Sequence, residues 1–190
     1  MSSTFVPPPV QIAHVVLRTT VENFPKMVDF YKTFLGGSIS AQVPGLCFIT
    51  FDTEHHRIAL LAAPGAKPKD PLTCGLEHIS FTHANLEDLL TAYRGRKALG
   101  LDPSWCVNHG PTVSIYYKDP DGNNLETQID TMTDIAQINA MITGKEFREN
   151  PVGVDFDPEE LWNKLRSGVP YEELVKRENI GPRGLDTVPI

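Results

Sequence analysis

The chain has 190 residues, 41% of them hydrophobic and 22% charged, with a formal net charge of −7. That length suits one domain or two small modules sharing a core, and the acidic balance without a basic cluster points away from nucleic acid. No basic, apolar leader and no run long enough to span a bilayer stands out, so the expectation is a cytoplasmic protein with no membrane partner. Cys47, Cys74 and Cys106 are odd in number and lack zinc-site spacing, and they read as reduced, mostly structural thiols, with a free surface thiol left open.

In chain order, a first unit opens on the apolar strand Ile12-Ala13-His14-Val15-Val16-Leu17. A helix over residues 23–35 follows, with Phe24, Met27, Val28, Tyr31, Phe34 and Leu35 at core spacing, stopped by Gly36-Gly37. Short strands are expected near 38–42, 46–51 and 57–62. The linker over residues 63–71, rich in Pro, Gly and Lys, then leads to a second unit. His78 opens its first strand, Leu76-Glu77-His78-Ile79-Ser80-Phe81, 64 residues after His14. A helix over about 85–99 places Leu86, Leu89, Leu90 and Tyr93 on one face and ends at Gly100, and strands follow near 104–108, 112–118 and 124–129. Each unit therefore reads β-α-β-β-β, and neither can bury its helix and sheet faces alone.

The expected layout is an α+β fold of two paired βαβββ modules, about 10–63 and 75–131, within a single catalytic domain 1–131, the pair forming one curved sheet around a cleft. Residues 132–190 form a helical C-terminal extension packed on that domain or on a second subunit, with a lid over the cleft as the sharper idea. Within it a helix over 134–142 is ended by Gly144, Asp157-Pro158-Glu159-Glu160 caps another that ends at Gly168, and 170–178 can form a third.

His14 and His78 occupy matched positions in the repeat, and Glu126 ends the last strand of the second unit. Two neutral imidazoles and one carboxylate form a facial set that suits Fe(II), with Mn(II) as the alternative, and leaves about three coordination positions for substrate and dioxygen. The matching strand of the first unit, near residues 60–62, is apolar and offers no fourth ligand. A single histidine at a strand end is ordinarily just a hydrogen-bonded residue; the repeat is what favours metal.

These residues carry a resemblance. The chain resembles the vicinal oxygen chelate superfamily, which has the glyoxalase/bleomycin resistance/dihydroxybiphenyl dioxygenase fold, and within it the small two-module type I extradiol ring-cleavage dioxygenases. The likeness covers roughly residues 10–130, and its most specific part is 114–126, Ser-Ile-Tyr-Tyr-Lys-Asp-Pro-Asp-Gly-Asn-Asn-Leu-Glu. The resemblance implies that His14, His78 and Glu126 hold iron and that Tyr116, ten residues before Glu126, hydrogen-bonds an oxygen of the catechol. It places His56 towards dioxygen, where it steadies charge and moves a proton, with His55 a solvated neighbour. His109, in the loop before the signature strand, would touch substrate and donate a proton, while His83 reads as an ordinary polar residue. Asn124 and Asp130 could orient ligands, and Phe48, Trp105 or Phe147 could line the pocket. The implied partners are O2 and a small catechol-type diol, with 2,3-dihydroxybiphenyl-like diols as an example, and the chain is expected to be a homo-oligomer, a dimer or higher. Two other readings stay open: a glyoxalase-type isomerase or thiol transferase on the same scaffold, and a metal-free ligand-binding protein of the resistance type.

Overall fold

A computed structural model describes residues 5–189. The chain forms two compact units, Met1–Asp70 and Pro71–Ile190.

In the first unit, β1 (Val15–Thr19) is followed by α1 (Phe24–Leu35), β2 (Ser38–Val43), β3 (Leu46–Thr50) and β4 (Ile58–Ala62). The strands lie in the order β1-β4-β3-β2, with β1 parallel to β4 and the other pairs antiparallel. A parallel first-to-last pairing needs a crossover, and α1 supplies it. A proline in its first turn suits the helix start, and Gly36, with φ 60°, takes the left-handed conformation that ends it. Its buried face is Phe24, Met27, Val28, Phe30, Tyr31 and Phe34, so Phe30 takes the place expected for Leu35. That face covers β3 and β4, where Cys47, Ile49, Ile58 and Leu60 are buried. The strand begins just after His14 rather than at residue 12, because the Arg57 guanidinium takes the carbonyls of Ile12 and Ala13 at 2.9 and 3.0 Å, outside the sheet.

The second unit repeats the pattern with β5 (His78–Thr82), α2 (Leu86–Ala98), β6 (Trp105–Asn108), β7 (Thr112–Lys118) and β8 (Asn124–Asp130). Asn85 caps α2 by accepting from the Asp88 amide at 2.8 Å. Its buried face holds the expected Leu86, Leu89, Leu90 and Tyr93, and also Arg96. Arg96 is buried because its guanidinium donates to the Thr127 hydroxyl at 3.3 Å and lies 5.2 Å from the Tyr117 ring centroid. The strand order is β5-β8-β7-β6, with a short strand from the extension, β9 (Val154–Asp155), added beside β6. Hydrogen bonding thus defines a four-stranded and a five-stranded sheet, where one curved sheet was expected.

The extension belongs with the second unit. It contributes α3 (Ile135–Ile142), α4 (Lys145–Glu149), β9 (Val154–Asp155), α5 (Pro158–Arg166), α6 (Tyr171–Leu174) and a 3-10 turn over Leu185–Thr187. The Asp157 cap forms as expected, and Asp134 caps α3 in the same way. The strand β9 was not expected: two residues carry no period, and only the free edge of β6 makes them a strand. The last helix is shorter than the 170–178 expected. Tertiary hydrogen bonds draw the chain away after Leu174, since the Val175 carbonyl accepts from Asn108 and Arg177 donates to the His109 and Asn150 carbonyls. α5 is fixed to α2 by Glu159, which accepts from Tyr93, Arg94 and Lys97 at 2.9–3.1 Å. Cys47 and Cys106 are buried, and Cys74 is the exposed thiol.

Leu125, the second residue of β8, is fully buried. Leu125→Ala should therefore cost about 2–5 kcal/mol, read as a lowered urea midpoint at unchanged m-value.

Candidate active site

Side chains alternate along a strand. In β8, Leu125, Thr127 and Ile129 are buried, and α2 packs on this strand. Glu126 consequently projects from the other face. Tyr116 of β7 stands directly across from it, and Ser80 of β5 is its neighbour on the other side. The Tyr116 hydroxyl donates to Glu126 Oε1 at 2.9 Å, and His78 Nε2 lies 3.2 Å from Glu126 Oε2. Glu126 is only 5% exposed. Burial alone would raise its pKa, but hydrogen bonds from His78, Ser114, Ser80 and Tyr116 outweigh it and hold the carboxyl down at about 2. The same contact to Glu126 pushes His78 up to about 9, with help from Glu77. Burial, reinforced by the Glu126 charge, drives the Tyr116 phenol well above its ordinary range, so it stays protonated.

His78 is oriented from behind. Its Nδ1 meets the Glu77 carboxylate, whose other oxygen accepts from Asn124 Nδ2 at 2.7 Å. A carboxylate on Nδ1 leaves Nε2 as the ligating atom. His109 closes the group. Its Nε2 lies 3.0 Å from the Tyr116 hydroxyl, and its Nδ1 lies 2.5 Å from the Val152 carbonyl. A carbonyl only accepts, so Nδ1 carries the hydrogen and neutral Nε2 is an acceptor. Burial lowers the His109 pKa, which keeps that neutral form. A pocket of about 190 Å³ opens beside His78, His109 and Tyr116, with Trp105 in its wall.

In the first unit His14 is exposed and its ring centroid stands 4.3 Å from that of His56. His56 is 8% exposed, shielded by the rings around it, including Phe48 at 4.5 Å. That shielding, then the charge of His14, lowers its pKa. The register identifies the positions matching the second unit. Where Ser80 pairs with Glu126 and Glu126 in turn with Tyr116, Val16 pairs with Ala59 and Ala59 in turn with Phe48. The missing fourth ligand therefore maps to Ala59, not to residues 60–62, because the β1–β4 pairing is set one residue earlier.

The structure brings His78, Glu126, Tyr116 and His109 together in one unit and His14 and His56 together in the other. Among the described residues, no group of three or more His, Cys, Asp or Glu is gathered to hold a metal. The donor pair present nonetheless fits one. Two ligands about 2.1 Å from a common ion and at right angles to it stand about 3 Å apart, close to the 3.2 Å between His78 Nε2 and Glu126 Oε2. His55 is exposed and meets Glu54, and His83 packs near Arg96, away from the cluster. Asn124 acts through Glu77, whereas Asp130 is exposed and makes its side-chain bond with Gln128 at 3.5 Å. Phe48 covers His56, Trp105 lines the pocket, and Phe147 is not part of its wall. Sequence reasoning missed Glu77, Val152 and Arg177. Only the acid beside His78 left a trace, and a backbone carbonyl leaves none.

The chain belongs to the glyoxalase/bleomycin resistance protein/dioxygenase superfamily, whose family model matches residues 11–127. It is 44% identical over 165 residues to biphenyl-2,3-diol 1,2-dioxygenase 2 of Rhodococcus globerulus, covering 86% of both chains. It is 38% identical over 169 residues to biphenyl-2,3-diol 1,2-dioxygenase 3 of the same organism, covering 88% of both. Two solved structures share the fold. A glyoxylase/bleomycin resistance protein/dioxygenase domain from Frankia sp. EAN1pec has a TM-score of 0.54 at 17% identity, over 65% of this chain and 99% of that one. A glyoxalase/dioxygenase from Nostoc punctiforme has a TM-score of 0.52 at 20% identity, over 68% and 99%.

Proposed function

We propose that His14, His78 and Glu126 hold a divalent ion, Fe(II) ahead of Mn(II), and that the diol occupies the pocket beside Tyr116 and His109. The chain is an extradiol ring-cleavage dioxygenase, opening the aromatic ring of a catechol-type diol with O2. The observation that carries the site assignment is the Glu126 carboxylate. It is buried and held ionised, with His78 against one oxygen and the Tyr116 hydroxyl against the other. When bound, the ion would supply a common template for diol and dioxygen and polarise both.

The chain's own residues handle the proton. Tyr116 has one hydroxyl hydrogen and two acceptors, Glu126 Oε1 at 2.9 Å and His109 Nε2 at 3.0 Å. By rotation of the hydroxyl, that hydrogen can turn from Glu126 Oε1 to His109 Nε2 or to a diol oxygen in the pocket. Neutral His109, set by the Val152 carbonyl, can take up a hydroxyl proton of the diol through Tyr116 and later return it. His56, shielded beside His14, would steady charge on the dioxygen side. Tyr116→Phe should keep the bound ion but lower kcat by about 10²-fold, the scale of general acid–base assistance, as stopped-flow turnover of the iron-loaded variant would show.

Oxygen uptake by anaerobically iron-loaded protein with 2,3-dihydroxybiphenyl and catechol tests the whole reading. One O2 consumed per diol, with a yellow ring-opened product, is the expected result. Turnover without oxygen, or none with any catechol-type diol, would overturn it.

Among the described residues, no helix is long and apolar enough to cross a membrane. The proposal extends to a cytoplasmic location, in keeping with three free cysteines. It also extends to a homo-oligomer, in keeping with α3, which is largely apolar yet buries no residue in the chain itself.

A further inference from the structure

We propose that the segment following α6 forms a wall of the diol pocket and that Arg183, through Asp155, holds this wall against Trp105, making the pair a determinant of which diols bind. The inference rests on the activity proposed above and concerns the part of the substrate remote from its hydroxyls.

The pocket beside His78 and Tyr116 is also lined by Leu185, Val188 and Pro189, which lie well beyond residues 11–127, the part that matches the family model. These three offer only apolar surface. Leu185 is 71% exposed, and a ring lying in the pocket would remove such surface from water.

What fixes the segment is polar and specific. Arg183 Nη1 and Nη2 donate to the two Asp155 oxygens at 2.7 and 3.1 Å, a bidentate pair. Its Nε donates to Thr187 Oγ1 at 3.0 Å, tying down the 3-10 turn that carries Leu185. Its backbone amide reaches the Glu149 carbonyl at 3.0 Å. The Arg183 side chain is 13% exposed and that of Asp155 57%, so the pair is solvated on the Asp155 side and its hold rests on the bidentate geometry. Asp155 has a second task, accepting from the Trp105 indole at 2.8 Å, with the Arg183 guanidinium 5.9 Å from that ring's centroid. Trp105 in turn stacks on Tyr116, centroids 5.0 Å apart. A continuous set of contacts therefore runs from Arg183 to the phenol at the reacting end, and β9 exists at the edge of β6 where it delivers Asp155. Neither Arg183 nor Asp155 lines the pocket, so both are positioning residues.

Catechol has no substituent to reach such a wall, whereas 2,3-dihydroxybiphenyl does. The test is calorimetric titration of both diols into iron(II)-loaded protein without oxygen. Arg183→Met should weaken 2,3-dihydroxybiphenyl at least about tenfold and catechol less than about twofold. Val188→Trp, which fills the space, should do the same and decides the matter alone if Arg183→Met does not fold. Equal weakening of the two diols, or of neither, overturns the proposal while leaving the activity standing. Wild-type protein that binds neither diol overturns both.

Discussion

Glu126→Ala is expected to yield a folded protein that retains no iron after desalting and whose oxygen consumption falls on the order of 10³-fold or more, a barrier increase of about 4 kcal/mol. The repeat supplies no second carboxylate of this kind, since the matching position of the first unit is Ala59. Folding survives because the hydrogen bond lost at Tyr116 has an alternative in His109 Nε2 at 3.0 Å, so the stability cost stays at about 1–3 kcal/mol. Glu126→Gln separates charge from shape. The amide oxygen still accepts from Tyr116, but without the anion the metal should be bound at least about 10²-fold more weakly. Metal analysis alongside the oxygen electrode checks both variants. Stoichiometric iron in Glu126→Ala would remove this residue from the ligand set.

The second large effect falls on His56. His56→Ala should keep its iron and lose turnover by about 10²–10³-fold, the range for a positioned acid or base. The ring is buried beside His14 and Phe48, and that burial favours the neutral imidazole, as required of a group that accepts and releases a proton near neutrality. Loss of iron from this variant would instead make His56 a support for His14, and unchanged oxygen consumption would show that it has no part in the chemistry.

The repeat was legible because its signals are periodic. Apolar spacing in the helices, glycines at their ends and alternating strands follow directly from backbone geometry. The register of β7 against β8, and so the meeting of Tyr116 with Glu126, could be suspected from their ten-residue spacing around a tight turn. The network behind them was not legible. Val152, Asp155 and Arg183 act through a carbonyl, a two-residue strand and a long-range ion pair, none of which has a period or a motif. The buried Arg96 was hidden for a related reason: a charge on an apolar face is intelligible only once Thr127 and the Tyr117 ring are in place.

The attachment of His109 has a consequence for the order in which the protein is made. Every strand of both modules has left the ribosome once residue 130 emerges, but the Val152 carbonyl that sets the imidazole, and Arg177 and Arg183 that secure its surroundings, follow later. A nascent chain can therefore assemble its sheets around an unset histidine. Competence for ring opening would arrive late in synthesis, as a separate event from folding of the modules.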